Sequence, residues 1–167
     1  MFNELTKNDI KKMEEEIEYR KLVVRKDAIE AVKEARAQGD LSENFEYYAA
    51  KKDKNKNESR IRYLERMIKT AKIISDDSKE GEIGLYNMVD VYFEEDDETE
   101  TYKIVTTVRG NSLKNLISSE SPLGKALLGH KVGDRVHVRI NDKAGYDVIV
   151  KRIEKTTDDG SDALRSF

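Results

Sequence analysis

Apolar side chains recur along the first part of the chain at steps of three, four and seven. Ile10, Met13, Ile17, Val24, Ala28, Val32 and Ala35 trace the narrow stripe of a coiled-coil seam. Glu and Lys fill the positions between them, and no Pro or Gly interrupts the run, so the pattern predicts one helix from Thr6 to about Gln38. Gly39 and Asp40 then supply a stop and a turn, because Gly tolerates the positive φ of a helix C-cap. The spacing returns at Ile61, Leu64, Ile68 and Ala71, predicting a second helix from near Ser42 to about Ile74. Two long helices joined by a short turn lie antiparallel, each ~45 Å long at ~1.5 Å per residue. Residues 1–75 therefore read as a helical hairpin with an exposed tip at residues 38–46.

Past the polar linker at residues 76–82 the period shifts to two. Met88–Phe93 and Thr101–Val105 alternate and are rich in β-branched and aromatic residues, as strands are. The acidic run from Glu94 to Glu98 makes the loop between them. Ser121-Pro122 opens a short helix through Leu128, with Ser as N-cap and Pro at the first helical position, and Gly129 ends it. Val136–Ile140 and Tyr146–Val150 follow as two strands joined by a turn at Lys143-Ala144-Gly145. Residues 83–155 thus form a small α+β domain, and residues 156–167 read as a frayed, flexible tail without structure.

Composition sharpens this division. Charged residues make up 39% of the 167 positions and apolar ones only 37%, against roughly 25% charged in an ordinary globular domain. A single compact core is excluded, and long solvated helices beside one small domain are favoured. The net charge of −3 hides an asymmetry of +3 over residues 1–75 and −6 over the rest, so only a local nucleic-acid contact remains open. With no cysteine and two histidines, His130 and His137, thiolate chemistry and a multi-histidine zinc site are excluded. Met1-Phe2-Asn3-Glu4 has no leader pattern, and the longest apolar runs are triplets, so a soluble cytoplasmic protein with no membrane contact is expected.

The candidate chemistry lies at the tip. Asp40 and Glu43 stand three positions apart and admit two readings. In one, Asp40 caps the second helix and Glu43 is its capping-box partner. In the other, two carboxylates at the end of a rod are donated into a site on another macromolecule. Lys51 to Arg60 contains no apolar position, and Lys51, Lys52, Lys54, Lys56 and Arg60 outweigh two acids. It is either a solvated face or a patch that contacts RNA phosphates. Tyr47 and Tyr48 either pack the tip or stack on a base. The acidic loop lacks the spacing of a calcium loop, and His137 reads as an ordinary strand-face residue. No Walker loop, dinucleotide fingerprint or catalytic triad is present, so the chain is not expected to be an enzyme by itself.

Residues 35–50, with Gly39-Asp40-Leu41-Ser42-Glu43-Asn44-Phe45-Glu46-Tyr47 at their centre, resemble the tip motif of bacterial transcription elongation factors of the GreA/GreB family. A second stretch, Ser121-Pro122-Leu123-Gly124-Lys125-Ala126-Leu127-Leu128-Gly129 followed by Val132-Gly133-Asp134, resembles that family's C-terminal domain. The resemblance implies an antiparallel coiled coil followed by a domain similar to FKBP-type prolyl isomerases, without their activity. It also implies a partner, bacterial RNA polymerase. The C-terminal domain would dock at the rim of the secondary channel, with Ser121, Pro122, Leu123 and Gly124 at the contact. The coiled coil would carry Asp40 and Glu43 to the catalytic centre, supported by Gly39, Leu41, Ser42, Asn44, Tyr47 and Tyr48. There the two acids would help hold a Mg²⁺ shared with the polymerase while the backtracked RNA 3′ end is cleaved. No cofactor of its own and a monomeric state are implied. Lys26 stands where many members carry Pro, Phe45 where Ala is common, and the stretch after Lys51 is richer in lysine. The short basic stretch and acidic balance lean toward the GreA-like branch. The competing expectations are a channel binder that regulates polymerase without stimulating cleavage, and a plain coiled-coil adaptor.

Overall fold

A computed structural model describes residues 3–38 and 44–166 of the chain. Asn8–Ala71 form one compact unit, and Glu4–Lys7 with Lys72–Ser166 form another. The elements run β1 (Asn3–Leu5), α1 (Lys7–Tyr19), a π-helical turn (Arg20–Val24), α2 (Arg25–Ala37), α3 (Phe45–Lys69) and β2 (Ala71–Ile73). They continue with β3 (Met88–Phe93), β4 (Glu98–Val105), β5 (Leu116–Ser118), α4 (Pro122–Leu127), β6 (Arg135–Arg139) and β7 (Gly145–Glu154).

The first unit is the antiparallel hairpin. Cross-links between its arms, Glu16 with Arg60, Arg20 with Asn57 and Ala35 with Asn44, show the two arms running in opposite directions. Met13, Ala35, Ile61, Leu64 and Met67 are buried along the seam. Two expectations need correction. The first arm is not uniformly α-helical: at Arg20–Val24 the bonding widens, and Arg25 N–H donates to Arg20 O, five residues back. The cause is non-local, since the Asn57 amide of the opposite arm donates to that same Arg20 carbonyl at 3.3 Å. The second arm starts at Phe45 rather than Ser42 and ends at Lys69 rather than Ile74. Thr70 closes it by donating both N–H and Oγ1 to Arg66 O, at 3.0 and 2.9 Å. Ala71–Ile73 then leave the helical period to pair with β1 in a two-stranded ribbon.

Glu16 lies between Arg20 and Arg60, at 2.7 and 2.8 Å. Partial burial pushes its carboxyl upward, but the hydrogen bonds and charges of Arg60 and Arg20 together outweigh it and hold the group below its ordinary range. A carboxyl depressed in the folded state contributes stability that is complete above the unfolded pKa of about 4.5 and is lost as pH falls through the folded value. Glu16→Gln is therefore expected to lower the hairpin's thermal midpoint at pH 7, with the difference from the parent shrinking in acid. Far-UV circular dichroism melts at stepped pH measure this; a difference that grows on acidification would contradict it.

The second unit carries a five-stranded mixed sheet in the order β5-β4-β3-β7-β6. Only β4 and β5 are parallel; the other neighbours are antiparallel. Alternation places one face of each strand in the core: Val89 and Val91, Ile104, Val136 and Val138, Val148 and Val150, closed by Ile83, Tyr86 and Leu127. Cross-strand pairs such as Val91 with Val150 and Val136 with Val148 pin the register. The α+β expectation holds, including a helix capped by Ser121 with Pro122 at its first position.

The segment after β7 has no regular element, yet it is anchored, which corrects the expectation of a frayed tail. Arg109 donates to both Asp158 carboxylate oxygens at 3.2 and 2.9 Å and to Asp162 O at 3.1 Å. Lys103 Nζ reaches Asp162 at 2.6 Å, and Arg165 N–H donates to Val108 O. Thr156 Oγ1 donates to the carbonyl of Tyr86, a buried residue held at a φ of +64° and flanked by the Lys103 and Arg109 cations. The linker is tied as well. Lys155 Nζ donates to Ser78 Oγ, Lys79 O and Glu82 O at 2.5 to 3.2 Å.

Candidate nucleic-acid and polymerase interface

Asp40 and Glu43, with Gly39, Leu41 and Ser42, lie outside the described residues. Asn44 is the N-cap of α3: its Oδ1 accepts from Tyr47 N–H at 3.0 Å, and its Nδ2 donates across to Ala35 O at 2.5 Å. One side chain therefore starts the second helix and ties it to the end of the first. The cap position that the sequence offered to Asp40 is filled by Asn44.

Aromatic residues crowd the first turn of α3 without being buried. Phe45 is 85% exposed and Tyr48 54% exposed, so neither packs a tip core. Tyr47 is half-buried, sits edge-on to Tyr48 at 5.6 Å, and receives the Arg36 guanidinium over its ring at 5.6 Å. Arg36 also donates to the Tyr47 hydroxyl at 3.4 Å. That hydrogen bond, with the charges of Lys51 and Lys54, holds the phenol below its ordinary range despite some desolvation. The base of the tip is thus a positive environment, suited to a polyanion.

The basic stretch divides in two. Lys51, Lys52 and Lys56 are exposed and Lys54 is half-buried. Arg60 does not belong with them. Its side chain is buried in the seam, bonded to Glu16 at 2.8 and 3.2 Å, and faces the opposite arm rather than solvent. Composition alone misses this, because a charged residue at a seam position looks like its solvated neighbours. If the four lysines meet RNA phosphates, changing all four to Ala is expected to weaken action on long backtracked transcripts. The salt dependence should then shallow by roughly 0.7 in log–log slope per lost contact. An unchanged slope would leave the patch as a solvated face.

In the second unit the turn before α4 is tightly built. Ser121 Oγ accepts from Gly124 N–H at 3.1 Å and donates to Ser118 O at 2.6 Å. A Cβ on Gly124 would stand 2.1 Å from Ser118 O, so only glycine fits beneath this cap. Pro122 is exposed and Leu123 half-buried, presenting a small apolar edge. A cavity of about 640 Å³ borders the turn, lined in part by Thr107, Ser118, Ser121 and the anchored Asp162 and Arg165. Among the described residues no group of three or more His, Asp or Glu is placed to hold a metal ion, and no helix is long and apolar enough to cross a membrane.

Two family models cover nearly the whole chain. The one described as "Transcription elongation factor, N-terminal" matches residues 3–73, and the one described as "Transcription elongation factor, GreA/GreB, C-term" matches residues 76–155. The chain is 47% identical over 137 residues to transcription elongation factor GreA of Thermoanaerobacter pseudethanolicus, covering 81% of this chain and 87% of that protein. It is 39% identical over 150 residues to GreA of Bacillus subtilis, covering 90% and 94% respectively. A solved structure of GreA factor homolog 1 from Thermus thermophilus is 29% identical, covers 93% of this chain and all of that one, and superposes with a TM-score of 0.44.

Proposed function

Because the chain belongs to the GreA/GreB family of transcription elongation factors, we propose that it enters the RNA polymerase secondary channel and stimulates cleavage of backtracked nascent RNA. The reading is carried by one observation. Asn44 fills the N-cap position of α3 and bonds to Ala35, so the start of that helix does not require Asp40 as its cap.

Carboxylate oxygens are the donors that Mg²⁺ takes, but two of them are too few for a protein cage, so the remaining ligands come from the polymerase and the transcript. When bound, such an ion would supply charge neutralisation and an activated water for attack on the phosphodiester. Asp40 and Glu43 contribute negative charge and oxygen donors to that centre. The exposed lysines of α3 and the Arg36–Tyr47 pair supply a cationic surface along which the extruded RNA can run. The Ser121–Gly124 turn, with Pro122 and Leu123 at its edge, docks the second unit on the polymerase. The polymerase performs the hydrolysis, and this chain is its accessory.

The test is addition of the chain to stalled complexes of the cognate polymerase. Co-purification with polymerase and faster transcript shortening support the reading. Binding with slowed elongation and no shortening would replace it by a channel-binding regulator.

A further inference from the structure

We infer that Asn57 is a register lock and positioning residue, a role that rests on the cleavage reading above for its consequence but not for its geometry. Asn57 is 4% exposed, on the seam side of α3. Both ends of its amide engage one residue of the opposite arm: Oδ1 accepts from Arg20 Nη1 at 2.9 Å, and Nδ2 donates to Arg20 O at 3.3 Å. Arg20 is the first residue of the π-helical turn, and its carbonyl also accepts from Arg25 N–H. The same level of the hairpin holds Glu16 between Arg20 and Arg60, and the Arg25–Glu58 pair bonded twice at 2.7 and 2.8 Å.

Such a polar layer beside the apolar seam residues specifies alignment. Apolar side chains tolerate sliding, whereas a buried amide loses its partners when either helix moves by a residue. The layer is also matched to the tip. Fifteen positions separate Arg20 from Ala35 on one arm, and thirteen separate Asn44 from Asn57 on the other, between two cross-links that close a ring. In uniform α-helix that difference of two residues amounts to ~3 Å. A π turn absorbs an extra residue, so it shortens the longer arm and lets both cross-links form. Residues 39–43 join the ends of this ring. The Asn57–Arg20 contact therefore sets the points from which Asp40 and Glu43 are carried, about 13 residues from the lock along α3.

The experiment compares the parent with Asn57→Leu, and with Asn57→Ala in case the larger side chain spreads the helices. The chain has no cysteine, so labels can be placed singly; Glu34→Cys and Asp53→Cys carry spin labels on opposite arms for distance measurement. Both Asn57 variants are expected to keep their helix content and polymerase affinity, to broaden the inter-arm distance distribution, and to cleave about 10- to 100-fold more slowly at saturating factor. A purely structural role would lower affinity and helicity together. An unchanged distance distribution in both variants overturns the lock. A broadened distribution with full cleavage at saturation overturns the positioning role. Should the parent itself stimulate no cleavage, the functional reading fails with it, and the distance measurement alone decides the lock.

Discussion

Asp158→Ala is expected to destabilise the second unit by about 3–5 kcal/mol, the loss seen when one partner of a buried ion pair is removed. The side chains of Arg109 and Asp158 are only 1% and 3% exposed, and the carboxylate takes two of the guanidinium's hydrogen bonds. Without it, Arg109 keeps the Asp162 carbonyl and the Tyr86 ring but loses both hydrogen bonds to the buried carboxylate. The tail would detach at its centre, and Tyr86 would lose the order around its left-handed backbone. Urea unfolding of the full chain, followed by tyrosine fluorescence, measures the loss. The double variant Arg109→Met, Asp158→Leu should recover much of it, because replacing both members of a buried ion pair by apolar groups is often close to neutral. A single variant within about 0.5 kcal/mol of the parent, the range of ordinary surface changes, would show that the tail adds nothing to the fold.

The second large effect is catalytic. Asp40→Asn and Glu43→Gln preserve size and remove charge. Since Asn44 caps α3, neither change is expected to move the melting temperature. Each should lower transcript cleavage by about 10²–10³, the usual loss when a charge-stabilising group leaves a catalytic centre. Polymerase binding should survive, because the second unit and the stem of the hairpin are unaltered. Near-normal cleavage by both single variants would refute the assignment.

Much of this architecture is legible in the chain because it rests on local rules. The seam from Ile10 to Ala35, the Ser121-Pro122 cap and the alternating valines of β3, β6 and β7 each declare themselves within a few residues. What escapes is non-local. The π turn at Arg20 depends on an amide 37 positions away, and the burial of Arg60 depends on Glu16, 44 positions away. The anchored tail depends on Arg109, 49 positions before Asp158. β5 is three residues long and pairs in parallel, too short to show a period. Ala71 satisfies the helical spacing yet lies in β2, because three residues cannot separate a helical step from a strand paired with distant β1. At the tip, Asp, Ser and Asn all qualify as caps, and only the structure shows that Asn44 takes the role.

This chain is proposed to lend its carboxylates to the polymerase's metal. The measurement is the Mg²⁺ concentration that gives half-maximal transcript cleavage in backtracked complexes, with and without saturating factor. The parent is expected to lower that concentration, and the Asp40→Asn, Glu43→Gln double variant, though bound, to leave it where it stands without factor. The same Mg²⁺ requirement with parent and double variant alike would contradict the claim.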